Sequence, residues 1–341
     1  MRDYLQRLAD RDSLSKKEIQ DAMNNLFSED TTDSEIAAFM IGLKTKGETV
    51  DEIVGIVEAL RANALTFHSE ISHVIDNCGT GGDGSKSFNI STTSAFVMAG
   101  AGLTVAKHGN RSITSKTGSA DVLEYLGVNL DLNPDISLKI LKNVGITFLF
   151  APYVHPNIKR IMKVRKDLRI PTVFNLIGPL TNPVDLDFQL LGIYRRDLIE
   201  MFAEVLRLLG RKRAVVLNGA GFMDEASLAG ENHLAILDDG KIQYRVLHPK
   251  ELGFSICSNE AIKGGDCKEN AATLLSVLKG KKGVHRDTVL LNAGIGIFTG
   301  GLASSIEDGV KLATESIDSG AALEKLEKLI ENSHAEKTEV I

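Results

Sequence analysis

Residues 79–92 read Gly79-Thr80-Gly81-Gly82-Asp83-Gly84-Ser85-Lys86-Ser87-Phe88-Asn89-Ile90-Ser91-Thr92. The stretch follows Val74-Ile75-Asp76, a short apolar run that predicts the end of a strand. It leads into Ser94-Ala95-Phe96-Val97-Met98-Ala99, which predicts a buried helix. Strand, glycine turn and helix start together make an anion site. Glycine lets the main chain take positive φ and approach a ligand closely. The first N–H groups of a helix have no partner within it. Ser87, Asn89, Ser91 and Thr92 add hydroxyl and amide groups. The stretch therefore predicts an α/β protein with a site for a phosphorylated molecule. It is not a Walker A loop, which needs Gly-x-x-x-x-Gly-Lys followed by Ser or Thr. The dinucleotide fingerprint fits poorly, because Gly79 and Gly81 supply its first half but Gly84 then leaves the acid Asp83 inside the turn. An acid there suits a sugar hydroxyl or a metal-bound water.

A second motif, Lys107-His108-Gly109-Asn110-Arg111-Ser112, follows a predicted strand at 103–106. Ser115-Lys116-Thr117-Gly118-Ser119-Ala120-Asp121 comes next and opens a helix through Leu123 and Leu126. Two strand ends thus carry Gly, Ser or Thr and charge, where ligands bind in open α/β sheets. The formal net charge is −6, so bulk electrostatics do not draw anions. Local cations, Lys107, Arg111 and Lys116, are expected to do so. A third element, Met223-Asp224-Glu225-Ala226-Ser227, follows the predicted strand 213–217 and the turn 218–221. Its adjacent carboxylates are hard oxygen ligands of the kind Mg²⁺ takes alongside water and phosphate.

These segments, in order, resemble the anthranilate phosphoribosyltransferase family, a branch of the nucleoside phosphorylases and phosphoribosyltransferases with an N-terminal helical domain. The likeness continues through Phe150-Ala151-Pro152, Val164-Arg165-Lys166, Phe174–Pro183 and Asn292-Ala293-Gly294, and covers essentially the whole chain. Thr117 stands where the family usually has Ser, and Cys78 where an apolar residue is common. The resemblance implies transfer of a 5-phosphoribosyl group from phosphoribosyl pyrophosphate to the amine of anthranilate, the second step of tryptophan synthesis from chorismate. It implies a donor site of Gly79, Gly82, Asp83, Ser87, Asn89, Ile90, Ser91, Thr92, Lys107, Ser115 and Ser119. It implies an anthranilate site of Gly79, His108, Asn110 and Arg165. Ser91, Asp224 and Glu225 would hold Mg²⁺, two ions per site carried largely by the donor. His108 could handle a proton or be a structural hydrogen-bonder, and Arg165 could equally lie on a solvated basic face. No covalent nucleophile is implied. A homodimer through the helical domain is implied, with no nucleic-acid or membrane partner. A pyrimidine-nucleoside phosphorylase of the same fold is the alternative, though its Ser-Gly-Arg-Gly-Leu-Gly-His-Thr stretch is missing here; a non-catalytic nucleic-acid-binding relative is a second.

The remaining features agree. The chain has 341 residues, 43% hydrophobic and 25% charged, as expected of a globular protein with a large core and two domains. Cys78, Cys257 and Cys267 are an odd, scattered set, which argues against a disulfide framework or zinc site. The start, Met-Arg-Asp-Tyr-Leu-Gln-Arg-Leu, lacks the apolar core of a signal peptide, so a cytoplasmic setting is expected. Ser15-x-x-Glu18, Thr32-x-x-Glu35 and Thr49-x-x-Glu52 read as capping boxes, each before apolar residues at helical spacing. Strands are predicted at 103–106, 146–150, 213–217 and 233–237, alternating with helices into a mainly parallel sheet. The fold class is α/β, a small all-helical domain beside a larger α/β domain. The resemblance implies a division into 1–70 with 166–185 and 71–165 with 186–341, with the active site in the cleft between them. The tail after Glu331 is predicted to fray.

Overall fold

The first four elements are helices because their starts are capped and one face of each is apolar. They are α1 (Arg2–Ala9), α2 (Lys16–Phe27), α3 (Asp33–Lys46) and α4 (Val50–Ala62). The computed structural model describes residues 1–111 and 117–335. All three predicted capping boxes form. The box acid Glu52 does more. It is fully buried, pairs with Lys46 at 2.8 Å, and accepts the N–H groups of Leu14 at 2.9 Å and Thr49 at 2.8 Å. One carboxylate thus ties together the chain before α2, the end of α3 and the start of α4. Ile19, Met23, Phe39, Met40 and Ile56 are fully buried between these helices, each side chain contributing about 1.5–3 kcal/mol of burial.

The rest alternates strand and helix: β1 (Val74–Asp76), α5 (Ile90–Gly100), β2 (Thr104–Gly109), α6 (Ser119–Tyr125), α7 (Pro134–Val144), β3 (Ile146–Phe150), α8 (Ala151–Val154), α9 (Lys159–Leu168), β4 (Phe188–Gly192) and α10 (Ile199–Leu208). Then come β5 (Arg213–Asn218), β6 (Asn232–Asp238), β7 (Lys241–Leu247), α11 (Cys267–Leu278), α12 (Val284–Thr299), α13 (Ile306–Asp318) and α14 (Ala321–His334). The seven strands form one sheet in the order β3-β2-β1-β4-β5-β6-β7. The first five are parallel and the last two antiparallel. From β1 the chain winds outward to β2 and β3, then returns to β4 on the other side. That reversal opens a crevice at the carboxyl ends of β1 and β4, and the glycine turn emerges into it.

Four readings of the sequence need correction. β4 and β7 were not foreseen: β4 is buried along its whole length and β7 is largely exposed, so neither alternates. β2 runs on to Gly109, placing Lys107 and His108 inside a strand rather than in the loop after it. Helix α14 extends to His334, beyond the predicted fraying point at Glu331. Between α9 and β4 the chain makes two short 3₁₀ turns, Val173–Asn175 and Gly178–Thr181. Ile161, Val164, Val173, Phe174 and Leu180 share a core with α2, α3 and α4. Among the described residues no helix is long and apolar enough to cross a membrane.

Candidate active site

The turn after β1 needs left-handed backbone at Gly81 (φ 68°), Gly82 (φ 79°) and Gly84 (φ 73°), which residues with a Cβ rarely adopt. Its far side is pinned by an anti-parallel bridge from Ser87 to Lys263 and by the Ser87 N–H on Ser85 Oγ at 3.2 Å. Asn89 precedes α5 but does not cap it. Its amide nitrogen donates to the Thr117 carbonyl at 3.3 Å, and its oxygen accepts from Asn270 of α11 at 2.9 Å. Ile90 and Thr92 are buried at the start of α5.

Two carboxylates from the β5–β6 connection meet this turn. Asp224 Oδ2 accepts the Gly81 N–H at 2.6 Å, and Glu225 Oε1 accepts the Ser91 N–H at 3.1 Å. Asp83 is the third acid. Its Oδ1 accepts the N–H and hydroxyl of Ser85, both at 3.0 Å, while its Oδ2 is buried with no N–H or hydroxyl donor among the described residues. Burial, then repulsion from Asp83 and Glu225, holds Asp224 well above the ordinary carboxylate range. Burial raises Glu225 to about 7, against the pull of Lys107. A divalent cation would relieve this crowding. The donors are all oxygen, and among the described residues no three His, Cys, Asp or Glu side chains form a ready cage. That fits Mg²⁺, which keeps waters and phosphate oxygens in its shell. The packing around Asp224 is tight. A Cβ on Gly79 would stand 2.5 Å from Asp224 Oδ2, and one on Gly192 would stand 1.6 Å from its carbonyl oxygen.

Behind the turn lies a buried polar network. Lys107 donates to Asn77 Oδ1 at 3.2 Å, and Asn77 Nδ2 donates to the Ser91 carbonyl at 2.8 Å. Asp76, fully buried and pushed up to about 6 by burial, accepts the His108 N–H at 3.3 Å and Asn182 Nδ2 at 2.9 Å. The His108 ring is buried with Nδ1 3.2 Å from the Gly178 carbonyl. That contact needs the proton on Nδ1, so Nε2 is left as a bare acceptor, and it has no partner. Burial, then the neighbouring His155 ring 5.4 Å away and Lys107, lowers His108 to about 3.

The Asn110 carbonyl accepts the Ser119 hydroxyl at 3.2 Å, which ties the end of β2 to the start of α6. Arg111 corrects an expectation. Its guanidinium is taken by Asp121 at 3.0 Å and Glu124 at 2.7 Å, so its charge is spent within the protein. Ser115 and Lys116 lie outside the described residues. Arg165 on α9 is half-buried with Nη1 3.0 Å from Met162 Sδ. Among the described residues it makes no ion pair, and burial alone lowers it to about 10. The hydrogen bonds join Gly81, Ser91, Asp224 and Glu225 directly, and Lys107 through Asn77. They do not reach Arg165.

Sequence reasoning missed Asn77, Asn270, Gly192 and Tyr194. Asn77 follows a strand end and Asn270 sits among the apolar residues of α11, both signals of a buried amide with a task. Gly192 and Tyr194 gave none: they matter only because β4 runs beside β1, where the Tyr194 ring lies 3.6 Å from a Cβ built on Gly82.

The chain is similar to known proteins over nearly its whole length. Residues 71–323 match the α/β domain of the glycosyl transferase family, and residues 2–64 match its helical bundle domain. The chain is 57% identical over 334 residues to the anthranilate phosphoribosyltransferase of Bacillus mycoides, covering 98% of each. Against that of Bacillus cereus it is 56% identical over 336 residues, again with 98% of each covered. The crystal structure of the Thermus thermophilus enzyme superposes with a TM-score of 0.93 at 37% identity, over 97% of this chain and 99% of that one. The Saccharomyces cerevisiae enzyme in complex with PRPP and Mg superposes with a TM-score of 0.90 at 27% identity, over 98% and 97%. With a glycine turn, an adjacent acid pair and two matching domains in one continuous chain, the protein belongs to the anthranilate phosphoribosyltransferases of the glycosyl transferase family.

Proposed function

We propose that the protein transfers the 5-phosphoribosyl group from phosphoribosyl pyrophosphate to the amine of anthranilate, releasing pyrophosphate. The observation that carries this is the convergence of Asp224 and Glu225 on the N–H groups of Gly81 and Ser91. It puts acids for a cation beside a turn for a diphosphate.

The donor lies along the turn, against Gly79, Gly82, Asp83 and Ser87, with Asn89, Ile90, Ser91, Thr92, Lys107 and Ser119 around its phosphates. Bound Mg²⁺ would offset charge on the departing pyrophosphate, held by Ser91, Asp224 and Glu225. Two ions per site are proposed, carried largely by the phosphates of phosphoribosyl pyrophosphate. The amine attacks the anomeric carbon from the face opposite the leaving group, through an oxocarbenium-like transition state. No protein nucleophile takes part. Catalysis here is alignment of two substrates together with fixed electrostatics. Arg165, desolvated and without an acid partner among the described residues, suits the anthranilate carboxylate; Gly79 and Asn110 complete that site. At a pKa of about 3, His108 is a poor proton carrier at neutral pH. Its bare Nε2 suits a hydrogen bond from the acceptor amine instead.

The packing of Val173, Phe174 and Leu180 with the N-terminal helices supports a helical unit of 1–70 with 166–185, beside an α/β unit of 71–165 with 186–341, although Ile161 and Val164 just before that boundary share the same core. The family resemblance supports a homodimer through the helical unit and a cytoplasmic setting. Mixing the protein with anthranilate, phosphoribosyl pyrophosphate and Mg²⁺ should make anthranilate fluorescence fall. Constant fluorescence, with phosphorolysis of a pyrimidine nucleoside in its place, would overturn the assignment.

A further inference from the structure

The β5–β6 connection has no regular structure, yet it holds two adjacent acids, Asp224 buried and Glu225 half-buried, that repel each other. Side-chain amides hold it in place. The Ala226 N–H donates to Asn292 Oδ1 at 2.8 Å, and Asn292 Nδ2 donates back to the Ala226 carbonyl at 2.8 Å. The next peptide is gripped likewise: the Ser227 N–H donates to Asn232 Oδ1 at 2.7 Å, and Asn232 Nδ2 donates to the Ser227 carbonyl at 3.0 Å. On the other side of the acid pair, Asn218 Nδ2 donates to the Met223 carbonyl at 3.2 Å. The three asparagines are at most 1% exposed. Burying an amide is favourable only when its groups are paired, and here they are. Asn232 and Asn218 are local, at the ends of the strands that the connection joins. Asn292 is not. It comes from α12, 66 residues beyond Ala226, and is steadied there by donating to the Thr288 carbonyl at 2.9 Å.

We propose that Asn292 is a positioning residue for phosphoribosyl transfer: by clamping both polar groups of the Ala226 peptide, it fixes Asp224 and Glu225 where a Mg²⁺-loaded donor meets them. The amide does for Ala226 what a neighbouring strand does in a sheet, satisfying N–H and C=O at once. A loop carrying repelling charges would otherwise relax outward when the cation is absent, and would have to be reordered at each binding event. The inference rests on the proposed function, because it assigns Asn292 a task only through that acid pair.

The test is calorimetric binding of phosphoribosyl pyrophosphate with and without Mg²⁺, paired with thermal melts, on wild type, Asn292→Ala, Asn292→Ser, and Asp224→Asn with Glu225→Gln. The wild type should gain affinity from Mg²⁺ and the acid-pair variant should not. Asn292→Ala should lose at least tenfold of that gain while metal-free binding stays as in wild type, and adding it to the acid-pair variant should change nothing further. Asn292→Ser leaves room for water to reach the Ala226 groups, so it serves if the alanine variant does not fold; it should show a smaller loss of the same kind. A variant that melts lower but keeps the full gain would make Asn292 a structural residue only and overturn the proposal. If the wild type itself gains nothing from Mg²⁺, the role of the acid pair fails, and this inference fails with it.

Discussion

The Gly81 N–H donates to Asp224 Oδ2 at 2.6 Å across 143 residues of chain. An N–H that a glycine turn offers to a phosphate is thus engaged by the protein's own carboxylate. Asp224 is buried, with Asp83 and Glu225 crowding it. The site holds charge that costs stability and is useful only once ligand arrives.

Removing that charge should therefore separate stability from activity. Asp224→Asn keeps an acceptor for Gly81 but loses the repulsion. Burial and the neighbouring acids hold the Asp224 carboxyl well above its ordinary range, so removing its charge should make the ligand-free variant more stable than wild type. Together with Glu225→Gln it should lose activity by orders of magnitude at saturating Mg²⁺. Urea unfolding and steady-state rates check the two halves; full activity in the double variant would refute the role of the pair.

The glycines around Asp224 should differ in tolerance. On Gly192 a methyl group would lie 1.6 Å from the Asp224 carbonyl oxygen and 2.6 Å from its carbon, backbone that cannot turn aside. On Gly79 it would meet Oδ2 at 2.5 Å, a side-chain atom that can move. Gly79→Ala should cost about 1–3 kcal/mol, typical of overpacking, and Gly192→Ala more. Thermal melts in the reverse order would contradict this packing.

Arg165→Ala should raise the KM for anthranilate far more than that for phosphoribosyl pyrophosphate. A charge-assisted contact is worth about 1.5–3 kcal/mol, or roughly ten- to a hundredfold. Lysine should rescue only in part, since an ammonium lacks the planar fork. Varying each substrate in turn decides it, and equal rises in both KM values would move Arg165 out of the acceptor site.

Two buried imidazoles set an acid limit. Burial holds His108 at about 3 and His155 at about 4, against an ordinary 6.5. Above pH 6.5 both folded and unfolded rings are neutral and the contribution is complete. Below it the unfolded chain takes up protons that the fold refuses, so stability falls toward the folded values. Each ring should contribute a slope approaching 1.4 kcal/mol per pH unit in that window. His108→Gln should flatten the urea-unfolding profile between pH 6 and pH 4 by about one proton; an unchanged slope would mean that the ring is solvated.

Glu52→Gln should destabilise the helical bundle. It leaves Lys46, 5% exposed, without its partner, and breaking a buried pair from one side costs roughly 3–5 kcal/mol. Urea unfolding should show that loss, and Lys46→Met with Glu52→Gln should recover part of it. A change below about 0.5 kcal/mol would place the pair in water.

Much of the site was legible before the fold. Glycine spacing gave the turn, the Asp224-Glu225 pair marked the acids that close on it, and the capping boxes gave three helix starts. Local chemistry writes such features into neighbouring residues. Arg111 read as a ligand cation because its partners Asp121 and Glu124 lie on a helix whose packing a sequence does not display. Gly192 and Tyr194 were silent for a similar reason: their importance comes from β4 lying against β1, a pairing between distant segments. β7 escaped because an exposed edge strand has no apolar alternation to read.

Asn89 is bonded to Asn270, and Ser91 to Glu225, so the front of the proposed donor site is completed only by residues far later in the chain. During synthesis the glycine turn leaves the ribosome long before either partner exists. Contacts this distant are made late, after the entropy of closing a long loop is overcome. A nascent chain halted before α11 could build most of the sheet and still be unable to grip its donor. Donor binding at the proposed site should thus need the chain at least through α11, and proteolytic fragments that keep the turn but lose α11 should be unable to sequester phosphoribosyl pyrophosphate.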